Sequence, residues 1–167
     1  APTTQASTPA PPLPRELGKV VSFEAVTGTQ DASFAYYLPP SYNVGQPIPV
    51  VVFFDSHARG KDPVTQYQAL ADQYHVLLVG SNNSKNGQQP NQGLAIYDQL
   101  MADLKLKFKL DEKRITVSGF SGGARVAAAI AQSRPEVRSV IACSAGFQPQ
   151  EGDTFNYTAI IGKKDFN

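Results

Sequence analysis

The sequence has one cysteine, one methionine, two histidines and no tryptophan among its 167 residues, and only 17% of its side chains are charged. A single cysteine, Cys143, excludes an internal disulfide framework and any cysteine-based metal cluster, so a buried apolar core must carry the fold. With 15 basic and 14 acidic residues the net charge is +1, which gives no electrostatic case for nucleic acid or an anionic membrane. No apolar run approaches the length of a membrane span. There is no phosphate-cradling loop, no metal-ligand spacing and no internal repeat, so neither metal nor cofactor is expected. His57 and His75 are the whole supply of imidazole, a scarcity that bears on any hydrolytic chemistry.

What is present divides into two parts. Residues 1–16 are rich in Pro, Thr, Ala and Ser without apolar periodicity, and the composition predicts a disordered tether of the kind that links an exported domain to its anchor. The chain begins with Ala rather than Met, which adds to the expectation of an exported, processed protein. Residues 17–167 predict one globular domain. Alternation over 19–26 and 33–38, separated by Thr27-Gly28-Thr29-Gln30-Asp31, predicts an antiparallel hairpin. From Pro49 the pattern changes: 50–54 is a continuous apolar run, the mark of a strand covered on both faces, the β-branched run 115–117 predicts another strand, and 76–79, 137–142 and 159–161 read as further buried strands. Helices are expected between them, over 63–74 with Asp62 as N-cap, over 91–109, and after residue 121. The lysines Lys105, Lys107 and Lys109 read as a solvated helix end. This β-α alternation predicts an α/β fold, a mostly parallel sheet with helices on both faces and an N-terminal antiparallel hairpin.

The chemistry centres on Gly119-Phe120-Ser121-Gly122-Gly123, between the β-branched run Ile115-Thr116-Val117 and an Ala-rich stretch of high helix propensity. A G-x-S-x-G pattern at a strand-to-helix turn predicts a nucleophile elbow. Ser121 is expected to take a strained conformation that lifts its hydroxyl above the sheet. The Gly122 N–H, at the helix start, is expected to face the same space as an oxyanion donor. Ser56, His57, Asn82, Ser121 and Asp165 all fall near carboxyl ends of predicted strands, where open α/β sheets bind ligands.

These residues resemble the α/β-hydrolase superfamily over nearly the whole globular part, and in particular exported bacterial esterases of the polyhydroxybutyrate-depolymerase and feruloyl-esterase type. The run 50–60 resembles the strand and oxyanion loop, Gly119 to Gly123 the elbow, and Gly162-Lys163-Lys164-Asp165 the loop bearing the triad acid. The resemblance implies Ser121 as nucleophile, Asp165 as acid, and the His57 region as second oxyanion donor through its backbone; Ser56 and Asn82, at strand ends and, for Asn82, in the Asn/Gln-rich loop 81–91, are expected as substrate contacts. The family's triad histidine follows the acid, and this chain stops at Asn167. The sequence is therefore expected to be C-terminally incomplete, with the histidine beyond its end, an unpaired sheet edge that invites association, and no activity of its own. His57 carries a second reading as the base, and His75 reads as structural.

Three functions follow as expectations. The first is a serine hydrolase of small or polymer-derived carboxylic esters. The second is a non-catalytic protein that binds glycan or polyester fragments on the same fold. The third is a dienelactone-hydrolase-like or peptidase relative with another substrate.

Overall fold

The computed structural model describes residues 15–164, which form one seven-stranded sheet and four helices. The strands are β1 Val20–Ala25, β2 Ser33–Tyr37, β3 Ile48–Phe54, β4 Leu77–Ser81, β5 Leu110–Phe120, β6 Val137–Cys143 and β7 Asn156–Ile160. The helices are α1 Lys61–Gln66, α2 Gln68–Tyr74, α3 Pro90–Lys107 and α4 Gly122–Ser133. Spatial order is β1-β2-β4-β3-β5-β6-β7. The five strands from β4 to β7 run parallel, and β2 and β1 add antiparallel pairings at one edge. This is the expected α/β sheet with its N-terminal hairpin.

Side-chain alternation decides which face each helix covers. Val50, Val52 and Phe54 of β3, Ile115 and Val117 of β5, and Val140 and Ala142 of β6 point into one core with Tyr97, Leu100 and Leu104 of α3 and Ala124, Ala127 and Ile130 of α4. On the opposite face Phe53 and Leu78 pack with Val64 of α1 and Ala71 of α2. That second layer covers only the β2-β4-β3 half. Beyond it Thr116, Ser118, Ser139, Ile141 and Cys143 line an open cleft of about 700 Å³. The runs at 137–142 and 159–161 were expected to be buried strands. Instead β6 alternates buried with half-buried or exposed positions, and β7 is largely exposed, with Ile160 55% accessible. The physical reason is the single helical layer over that half of the sheet.

Local departures from the sequence reading have side-chain causes. The expected helix over 63–74 is two helices, broken at Tyr67 (φ −106°, ψ 15°), whose ring stacks on Phe53 with centroids 5.7 Å apart. Asp62 does not cap it: Gly60 is the N-cap, and Asp62 sits in the first turn near Arg59, 3.6 Å away. Helix α3 instead opens with a capping box in which Gln89 N–H donates to Gln92 Oε1 at 2.7 Å. Lys107 is not solvated. Its ammonium lies 2.6 Å from the buried Asp103 and 3.2 Å from Glu24, over the ring of Phe34. Arg15, within the stretch read as tether, pairs with Glu24 at 2.8 Å and lies over Phe108. Residues 1–14 of that stretch lie outside the described residues, as does Asp165.

Candidate active site

Ser121 is the single residue between β5 and α4, with φ 51° and ψ −117°. Its N–H donates to the carbonyl of Cys143 at 2.8 Å, and its own carbonyl accepts the N–H of Ala124 at 3.0 Å. A non-glycine residue in such a conformation costs on the order of 1–3 kcal/mol and persists only where its surroundings hold it. The surroundings here are backbone. A Cβ at Gly119 would overlap the backbone of Gly123, and one at Gly123 would overlap the carbonyl of Phe54. Helix α4 can therefore cross the sheet this closely only with glycine at both positions. Ala58 (φ 58°) and Ser144 (φ 54°) also hold positive φ, and with Ser121 they make three strained non-glycine residues at the carboxyl ends of neighbouring strands.

The loop after β3 is built around Asp55. Its buried Oδ1 accepts the backbone N–H of His57 at 2.7 Å and of Arg59 at 3.3 Å, and the Arg59 guanidinium closes on both oxygens at 3.1 and 3.2 Å. Burial alone would raise the Asp55 carboxyl, but the Arg59 guanidinium and these backbone N–H groups outweigh it and hold the pKa below the ordinary carboxylate value. Asp55 thus turns the loop. His57 is exposed, with Nδ1 2.9 Å from the buried Ser56 hydroxyl. Its backbone N–H, the expected second oxyanion donor, is engaged by Asp55.

A second loop, residues 82–89, braces the first. Asn86 N–H donates to the Ser56 carbonyl at 2.9 Å, and His57 bridges Lys85 in antiparallel fashion. The Asn86 carboxamide occupies the space a Cβ of Gly122 would need. Asn86 was missed in the sequence, where only the Asn/Gln richness of its loop signalled hydrogen-bonding capacity. Asn82, expected as a substrate contact, uses its amide internally: Nδ2 donates to the Ser22 carbonyl and to Ser33 Oγ, each at 3.3 Å. Asn83 and Gln88 are likewise engaged, with Asp31 and with each other. These three amides, which line a polar groove of about 520 Å³, are thus already bonded.

Beside the Ser121 turn a cleft of about 580 Å³ opens between Phe53, Tyr67, Phe120, Cys143 and Ile161, with Asp55 and Arg59 at its rim. Burial pushes the half-buried Cys143 thiol up, so it does not act as a ready nucleophile. His75 belongs elsewhere: it ends α2 with φ 53°, its Nδ1 2.6 Å from Ser41 Oγ, at the opposite end of β4 from these loops. Among the described residues no group of three or more His, Cys, Asp or Glu is placed to hold a metal ion. Among them, too, no helix is long and apolar enough to cross a membrane.

A parallel sheet with these loops at its carboxyl edge is the architecture of the α/β-hydrolase fold, and solved structures bear this out. The chain superimposes on a feruloyl esterase module from Clostridium thermocellum in complex with sinapinate, at TM-score 0.70 and 11% identity, covering 98% of this chain and 76% of that one. It is similar to a poly(3-hydroxybutyrate) depolymerase from Bordetella parapertussis, at TM-score 0.62 and 16% identity, covering 81% and 61%. An acetyl xylan esterase from Aspergillus awamori gives TM-score 0.61 and 16% identity, covering 75% and 51%. The chain has the α/β-hydrolase fold, and it spans 44–61% of the length of the first three structures it matches. No family model and no curated protein matches the sequence.

Proposed function

We propose that the protein is a serine hydrolase of carboxylic esters in which Ser121 is the nucleophile. The observation that carries this reading is the Ser121 backbone, strained at φ 51° and held between glycines that only close strand–helix packing requires. A turn of this shape is a nucleophile elbow: it separates the hydroxyl from the sheet and aims the first N–H groups of α4 at the same space. Gly122 N–H is the first oxyanion donor. The loop bearing Ser56 and His57 supplies the second, with the His57 N–H exchanging its Asp55 acceptor for the oxyanion or sharing between the two. Asp165, on the Gly-x-x-Asp stretch after β7, orients the histidine that serves as base. The apolar cleft beside Phe120 suits an acyl group, which favours ester hydrolysis over glycan binding, since Asn82, Asn83 and Gln88 of the polar groove are already engaged. Export on the Pro/Thr/Ala-rich N-terminal segment belongs to the same reading, and cell fractionation tests it.

The test is labelling of the complete gene product by a fluorophosphonate probe. Labelling that disappears in Ser121→Ala supports the assignment. A folded, full-length protein that neither labels nor hydrolyses short p-nitrophenyl esters overturns it and favours the binding-protein alternative.

A further inference from the structure

We propose that Asn156 is a modification site, the acceptor of an N-linked glycan that covers the outer edge of the sheet. The proposal rests on the export reading above and is independent of the hydrolase one. Asn-x-Ser/Thr triplets mark such acceptors where x is not proline, and the chain holds two, Asn82-Asn83-Ser84 and Asn156-Tyr157-Thr158. The pattern alone does not separate them, but the fold does. Asn82 is built into the structure: its Nδ2 donates to the Ser22 carbonyl and to Ser33 Oγ, each at 3.3 Å, and a Cβ on Gly60 would stand 2.7 Å from its Oδ1. Ser84 is only 1% exposed. A sugar on Asn82 would displace these partners.

Asn156 has the opposite surroundings. It is the first residue of β7, directly after the loop that follows β6. Asn156 and Thr158 are two residues apart on a strand, so they share a face, and both are exposed. That face is the half of the sheet without a helical layer, where Asn156 stands at the rim of the 700 Å³ cleft with Ser139 and Ile160. Its carboxamide makes no hydrogen bond among the described residues. In the transfer, Asn156 Nδ2 bonds to the anomeric carbon of an oligosaccharide carried on a lipid pyrophosphate. The bond from that carbon to the pyrophosphate oxygen breaks, the lipid pyrophosphate leaves, and Nδ2 gives up one proton. The strand also needs cover: β7 is last in the sheet order and among the described residues pairs only with β6. Its sequence Asn-Tyr-Thr-Ala-Ile carries neither charge nor proline, the devices by which edge strands avoid pairing with another chain. A bulky, hydrated glycan at its first residue obstructs such pairing.

The experiment secretes the complete gene product from a eukaryotic host, once behind its natural start and once behind a grafted secretory leader. Parent, Asn82→Gln, Asn156→Gln, Thr158→Ala and Thr158→Ser are digested with an amidase that releases N-glycans and leaves aspartate at the carrier position. Parent, Asn82→Gln and Thr158→Ser are expected to lose glycan mass on digestion, with aspartate read at position 156 by peptide mass spectrometry. Asn156→Gln and Thr158→Ala are expected to show no such loss, and Thr158→Ala keeps the acceptor itself, so a folding defect at Asn156 does not decide the result. A folded, secreted parent whose Asn156 is unmodified overturns the site, as does a glycan found at Asn82 in its place. In sedimentation, digested parent and Thr158→Ala are expected to self-associate at concentrations where the glycosylated parent is monomeric; identical sedimentation overturns the covering role. If only the grafted leader delivers the protein to the medium, the export reading fails, and the grafted-leader digest still decides the site.

Discussion

Replacing Asp55 by alanine tests whether one buried carboxylate holds the loop that faces Ser121. The Asp55 side chain is 10% exposed, and its Oδ1 accepts the backbone N–H groups of His57 at 2.7 Å and Arg59 at 3.3 Å. The Arg59 guanidinium adds two contacts, but that side chain is 54% exposed and solvent screens most of the ion pair. The backbone bonds therefore dominate. At roughly 1.5 kcal/mol for each hydrogen bond to a charged group, their loss costs about 3 kcal/mol. In a domain of this size that lowers the melting temperature by about 6–12 °C. The loop also carries Ser56 and His57, so fluorophosphonate labelling of Ser121 is expected to slow by about tenfold or more if the loop serves the oxyanion. Asp55→Asn keeps an acceptor and is expected to lose about half as much stability.

A pH series separates charge from shape. The folded-state pKa of Asp55 is depressed below that of the unfolded chain, about 3.9. The stabilisation is thus fully present above the unfolded value and is lost as pH falls through the folded one. The gap in melting temperature between the parent and Asp55→Asn is expected to stay constant from about pH 8 to pH 5 and to close below about pH 4. An Asp55→Ala protein that melts within about 1 °C of the parent would refute the reasoning, as would a gap that does not narrow as pH falls below about 4.

Other perturbations probe the frame around the site. Gly123→Ala places a Cβ on the Phe54 carbonyl and forces α4 away from β3, at a cost of about 1–3 kcal/mol by urea unfolding. Because it moves the Ser121 turn, labelling is expected to fall in the same variant. Asp103→Ala leaves Lys107, only 14% exposed, with Glu24 as its one acidic partner beside the Ala25 carbonyl, and frees the Thr27 N–H from its 3.1 Å bond, for a loss of about 2 kcal/mol. Burial raises the Asp103 carboxyl, but Lys107 and Thr27 more than reverse this, so that stabilisation too is present at neutral pH and fades as pH falls below the ordinary carboxylate range. Tyr37, whose hydroxyl donates to Asp72 at 2.8 Å, is pushed up to about 12 by burial and by that carboxylate. An ultraviolet titration to pH 11 is expected to show its phenol still protonated, and Tyr37→Phe is expected to leave the rest of the curve unchanged.

What the sequence made legible was local. The apolar run at 50–54 is β3, and its two faces do meet two different helical layers. The alternation near the N-terminus is the antiparallel edge, and the spacing of Tyr97, Leu100, Leu104 and Phe108 is the buried face of α3 and its C-cap. What escaped depends on contacts between distant positions. The solvated reading of Lys107 failed because Glu24 and the ring of Phe34, both far away along the chain, join its i,i+4 partner Asp103 around the ammonium only in the folded structure. The break at Tyr67 follows from a stacking partner on another element. The open half of the second face was hidden because Thr116, Ser118 and Ser139 sit among β-branched and apolar residues that read as continuous burial.

The same division runs through the candidate site. Gly119 and Gly123 are glycine because of what lies within four residues of them or directly beneath on β3, so a short pattern announces them. Gly122 answers to Asn86, a residue on a different loop, and no pattern along the chain links the two. Asp55 is similar: it reads as a turn cap from its position, and its value to the site comes from holding His57 and Arg59 while Asn86 holds Ser56 from the other side. One loop is thus held from two sides, by Asp55 and by Asn86. A strained serine is useful only if the donors opposite it stay put while charge develops, since reorganising them during the reaction would forfeit the gain. In the proposed hydrolase, positioning the donors therefore requires both braces, the local one from Asp55 within the loop and the long-range one from Asn86 across it.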